Sequence, residues 1–193
     1  MVATPVADFL TALPRRASAL AAMLGVAALV GWSANIDIMR RLLPGAPVIV
    51  PNTALALIVL ATTIVLLDGT PDRERRQLAA VLGVLVAAFG VLIIVQLTFE
   101  LSLPSDLWLF GDRVLTADTS TPGRTARTAG FTFMLLGGAH VLIALRDTRH
   151  IEIARIVAAA VLVIALSATV NSMDEAPAVF PLSRLIGMAL PTA

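Results

Sequence analysis

Five apolar runs, each close to the length of a bilayer-crossing helix, dominate this sequence: 17–36, 52–67, 78–99, 125–145 and 153–171. A helix needs about 20 apolar residues to cross the hydrocarbon core of a membrane. No water reaches the backbone N–H and C=O groups there, so only helices and closed barrels can span it. Barrel strands run to about 10 residues and alternate in polarity. These runs are longer and apolar throughout. The expected fold is all-α: an integral membrane helical bundle of five transmembrane helices, forming one domain over 17–193 behind a short amphipathic lead over 1–16.

Composition narrows the choice further. The chain has 193 residues, 58% of them hydrophobic and 14% charged, whereas a soluble domain averages about 45–50% and about 25%. The same balance excludes a disordered chain. The absence of Cys removes a disulfide scaffold, a thiolate metal site and a thiol switch. With a net charge of +1 no strong field gathers a polyanion, and nucleic acid is not an expected partner. All 14 basic residues are Arg.

Arginine placement sets an orientation. Arg15, Arg16, Arg73, Arg75, Arg76, Arg146, Arg149 and Arg155 fall at the N-terminus and in the 2–3 and 4–5 connections. Arg40, Arg41, Arg113, Arg124, Arg127 and Arg184 fall on the other side. The first group is larger and sits in short loops, where the positive-inside rule is strongest, so the N-terminus is expected in the cytoplasm. The connections on the other side are longer, rich in Pro, and carry Leu, Ile, Trp and Phe. They read as re-entrant or interfacial segments and as the better recognition surface. Trp32, near the end of the first run, reads as an interfacial anchor.

A weak internal repeat joins these parts. A run, a Pro- and Gly-bearing loop and a Thr-Ala pair opening the next run occur twice in full, at 51–55 (PNTAL) and 121–130. A third unit starts with the fifth run and reaches 187–193 (GMALPTA), where its second helix would begin. Asn52, Thr53 and Thr128 read as caps of helix N-termini. The arrangement resembles the N-terminal multi-pass sensory domain of bacterial sensor histidine kinases and diguanylate cyclases, whose hairpins carry PNTAL- and GMAL-type junctions. The matching stretches are 51–55, 122–129 and 187–193; Arg127 and Pro191 depart from the polar residue of the pattern. The resemblance spans nearly the whole chain. It implies a non-enzymatic input domain in the bacterial cytoplasmic (inner) membrane that passes an external or membrane signal to a partner. Five spans from a cytoplasmic N-terminus leave the C-terminus outside, so a sixth helix and a cytosolic effector are expected to be missing or truncated at Ala193. The alternative is a structural accessory subunit of a respiratory or photosynthetic complex.

Little chemistry is visible. No nucleophile triad, phosphate loop or metal-ligand spacing occurs, so neither catalysis, a metal nor a cofactor is expected. His140, in the fourth run, reads as a packing hydrogen bond beside Gly137-Gly138. Glu100 ends the third run with Gln96 as its expected polar companion; an ionisable group at that depth is a candidate ligand or proton site. Arg124 and Arg127, three residues apart, are expected on one helix face, meeting lipid headgroups or pairing with Glu100 or Asp118. Trp108 lies in the same outer loop, and Glu100, Gln96, Trp108, Arg124, Arg127 and His140 are the candidate ligand- or partner-binding residues. Gly83 and Gly90 mark close helix contacts. Expected partners are membrane lipids and other membrane subunits or a second copy of the chain.

Overall fold

The computed structural model describes residues 5–41, 48–101, 103–116 and 123–173. All regular structure among them is helical: α1 (Pro5–Ala34), α2 (Asp37–Arg40), α3 (Pro51–Leu67), α4 (Arg73–Thr98), α5 (Gly111–Leu115), α6 (Arg127–Leu145) and α7 (Thr148–Met173), with a 3-10 turn at Pro104–Asp106. Four helical stretches are long and apolar enough to cross a membrane: Ala12–Ala34, Arg73–Thr98, Arg127–Leu145 and Thr148–Ser167. The second apolar run forms the 17-residue α3, about 25 Å long at 1.5 Å per residue. One helix, α1, runs from within the lead through Pro14 into the first run. The loop at 174–186, the third junction, Asp118 and Arg184 lie outside the described residues.

The helices pack as consecutive hairpins, α1 on α3 and α4 on α6, with α3 against α4 and α7 against α6. Glycine sets the spacing. A Cβ on Gly90 would fall 2.3 Å from the Met134 backbone N and 2.5 Å from the Gly130 O. One on Gly137 would fall 2.5 Å from the Ala87 N and 2.6 Å from the Gly83 O. The α4 and α6 backbones thus touch at two levels, Gly90/Gly130 and Gly83/Gly137, as the sequence leads one to expect for Gly83 and Gly90. In the first hairpin the same role falls to Gly25, whose Cβ would meet the Ala54 O at 2.6 Å. Gly138, by contrast, faces open space.

The core where α3, α4 and α6 meet is Ala56, Leu60, Val86, Ile93 and Phe133, with the Phe89 and Phe133 rings 5.9 Å apart. The polar interior is small and bonded. Outside, Val81, Leu85, Ile156, Leu162 and Leu166 are all exposed. A water-soluble protein rarely shows such continuous apolar surface; a bilayer covers it without cost.

Helices α1 and α4 end alike. Ile36 N donates to Gly31 O and Leu101 N to Gln96 O, both at 2.9 Å. Between them Asn35 (φ +59°) and Glu100 (φ +53°) take the left-handed conformation. This is the Schellman stop, in which the residue past the helix turns left and the next N–H caps an inner carbonyl. Gly31 and Gln96, Asn35 and Glu100, and Ile36 and Leu101 stand at one constant interval along the chain. The repeat is therefore carried by the helix ends as much as by the Thr-Ala junctions.

Candidate functional site: two polar caps and a cleft

After each Schellman stop the chain folds back over the helix it has left. In the first hairpin, α2 brings Arg40 over the end of α1. Its Nε donates to Gly31 O at 3.0 Å, its Nη2 to Asn35 Oδ1, and its guanidinium lies 4.4 Å above the Trp32 ring. Trp32 is 1% exposed, and its Nε1 donates to Ile49 O at 2.8 Å. Trp32 is thus no lipid-facing anchor. The indole is walled in by α2 and the chain before α3, because a buried N–H needs a partner and the Ile49 carbonyl supplies one.

In the second hairpin the turn at Pro104–Asp106 does the same over α4. Gln96, 6% exposed, donates from Nε2 to Asp106 Oδ1 at 2.9 Å. Asp106 Oδ2 accepts from Leu103 N at 3.4 Å. The companion of Gln96 is therefore Asp106 and not Glu100. Glu100 is committed to the left-handed stop, and its side chain is exposed. Gly123 (φ +74°) closes the cap from below: a Cβ there would meet the Asp106 carbonyl oxygen at 2.4 Å.

The second cap also reaches across to the first hairpin. Trp108 Nε1 donates to Asn52 Oδ1 at 2.8 Å, and the hydroxyls of Thr53 and Thr125 pair at 2.9 Å. Arg113 donates to the carbonyls of Trp32 and Ser33. The expected capping roles of Asn52, Thr53 and Thr128 do not hold. The N-caps of α3 and α6 are Val50 and Ala126, with no side-chain cap bond. Pro51 at the first turn supplies no N–H that needs a cap, and the freed side chains instead tie the two hairpins together. Arg124 and Arg127 do not share a helix face either. Arg124 precedes α6 in extended chain and donates to Leu101 O at 3.2 Å, whereas Arg127 is the first residue of α6.

Beneath Trp108 a cleft of about 250 Å³ runs between α3 and α4. Leu55, Ala56, Val59, Leu85, Val86, Phe89 and Leu92 form its apolar walls, and Asn52, Gln96, Asp106 and Trp108 its head. At the far end of the core His140 Nδ1 lies 2.6 Å from Thr63 Oγ1, both buried. The Thr63 hydroxyl, with one proton to give, also lies 2.6 Å from Leu60 O. With that proton on the carbonyl, His140 is the donor to Thr63. This is the packing hydrogen bond expected of His140. Among the described residues no group of three or more His, Cys, Asp or Glu could hold a metal ion.

Of the residues that meet in the caps and the core, Gln96 and Trp108 stand out in the sequence, whereas Arg40, Arg113, Asp106 and Thr63 were not singled out as site residues. Only Asp106 left a usable signal: Pro104 and an acidic residue two positions later are the marks of a helical first turn. No family model matches the chain, and no curated protein or solved structure matches it.

Proposed function

We propose that this chain is a non-enzymatic sensory domain of the bacterial cytoplasmic membrane. It crosses the bilayer five times from a cytoplasmic N-terminus, in hairpin-like repeats. The caps face outward, receive an external or membrane signal, and hand it to a partner that carries the output. Supporting this is the way the cap of the second hairpin is bonded to the first through Trp108–Asn52, Thr125–Thr53 and Arg113. A change at the cap therefore bears on α1, α3 and α4 at once. The glycine contacts make each hairpin a stiff lever, and packed interfaces shift between discrete arrangements rather than bend.

The opposite end is charged. Arg15 pairs with Asp68, Asp72 caps α4 by accepting from Arg75 N at 2.8 Å, and Arg75 donates to Val65 O at 2.9 Å. These contacts suit a cytoplasmic surface that meets anionic lipid and a partner.

Gentle detergent extraction followed by purification tests the reading. Recovery with a protein bearing a cytoplasmic kinase or cyclase module is the expected result. Stoichiometric recovery within a large cofactor-bearing respiratory or photosynthetic complex would make the chain an accessory subunit instead.

A further inference from the structure

We infer that the cleft between α3 and α4 binds a single-tailed amphiphile whose polar end donates hydrogen bonds, an ammonium or a hydroxyl on an alkyl chain. The cleft follows α4 from Leu85 to Gln96, about 16 Å at 1.5 Å per residue, with apolar walls along that length. Its head is different in kind. Among the described residues the one ionisable group in the lining is the Asp106 carboxylate, and no Arg or His lines the cleft.

Two of the head's donors are turned to its own acceptors. Gln96 Nε2 is given to Asp106, and Trp108 Nε1 to Asn52. The amide orientation of Gln96 follows from chemistry, since an ionised carboxylate only accepts. That leaves the Gln96 carbonyl oxygen with no donor among the described residues, and it is not sealed off as a buried unbonded atom. The head thus offers acceptors and one negative charge. A fatty carboxylate would meet like charge at Asp106. An ammonium or hydroxyl completes the set, with Trp108, 68% exposed, at the mouth.

The inference rests on the sensory reading for its signalling consequence, but binding is read separately. The chain has two tryptophans, one at the cleft and one sealed under Arg40, so fluorescence reports the cleft directly. The protein in phosphatidylcholine nanodiscs is titrated with chain-brominated dodecylamine, dodecanol and dodecanoic acid. The amine and alcohol are expected to quench Trp108 saturably, at about tenfold lower mole fraction than the acid, as one charge-assisted hydrogen bond implies. Trp108→Phe should remove the saturable component. Asp106→Asn keeps the Gln96 bond but removes the charge, and should erase the tenfold preference for the amine over the acid. Val59→Phe, which fills the cleft, should leave only the linear quenching of bulk lipid. Equal quenching by the acid, or saturable quenching that survives Val59→Phe, overturns the inference. Phosphatidylethanolamine nanodiscs that abolish amine quenching would identify a lipid headgroup as the source of the ammonium. Selective binding without recovery of an effector-bearing partner would uphold the ligand and remove the sensory reading.

Discussion

The two caps are built on one plan and end in opposite states. Over α1 the returning turn lays down Arg40, 6% exposed, bonded to Gly31 and Asn35 and stacked on Trp32. Over α4 it lays down Asp106, half-buried, with Gln96 beside it and an apolar cleft below. A guanidinium that is buried, bonded and stacked is a rivet. A carboxylate with a spare acceptor beside it and an apolar groove beneath it is built to take a ligand's donor. The two caps therefore differ in the polar group that the returning turn supplies and in what lies beneath it.

Substitutions can break this contrast. The largest expected effect is at the hairpin with two glycine levels. Gly90→Ala sets a Cβ against backbone atoms of α6 that cannot rotate away, and should cost about 3 kcal/mol in reversible detergent unfolding. Gly25→Ala should cost about 1 kcal/mol less, because much of its obstruction is the Ile58 side chain, which can turn. Equal costs would mean that the α4–α6 contact is looser than described.

Next come the caps themselves. Arg40→Met removes the guanidinium from the Trp32 face and from Gly31, and should cost about 2 kcal/mol. Asp106→Asn should change stability by less than about 1 kcal/mol while weakening amine binding. If the two lose similar stability, both caps are rivets and the contrast fails. Thr63→Val leaves the His140 Nδ1 without its partner and should cost about 1–2 kcal/mol, which separates loss of core hydrogen bonding from loss of a cap. The smallest effect runs the other way. Glu100→Gly should stabilise by about 1 kcal/mol by relieving a left-handed non-glycine residue. Asn35→Gly should gain only a few tenths, since Asn tolerates that conformation.

The helical architecture was legible because lipid imposes a length and a polarity that single residues cannot disguise. Gly83 and Gly90 announced the tight interface for the same reason: only a missing side chain admits a neighbouring backbone. The caps were not legible. Trp32 at the end of an apolar run has the signature of a lipid anchor, and nothing local says that Arg40 and Ile49 return to bury it. Asn52 and Thr53 sit where helix caps belong, yet Pro51 lessens the need, and their partners Trp108 and Thr125 lie in a distant loop. Gln96 was singled out but given to Glu100, its neighbour in sequence, when the left-handed turn at Glu100 sends the chain on to Asp106. Long-range polar contacts leave no periodic trace, so the site was found in pieces and not as a set.

The native chain contains no cysteine, and that makes its path through the membrane directly measurable. Single cysteines at Ile38, Thr70, Thr116 and Thr148, all exposed positions, are treated with a membrane-impermeant maleimide in intact spheroplasts and again after permeabilisation. The account predicts that Ile38→Cys and Thr116→Cys label at once, and that Thr70→Cys and Thr148→Cys label only when the membrane is opened. Labelling of Ile38→Cys and Thr70→Cys from the same side would mean that α3 does not cross, and would contradict the five-crossing bundle on which the outward-facing caps depend.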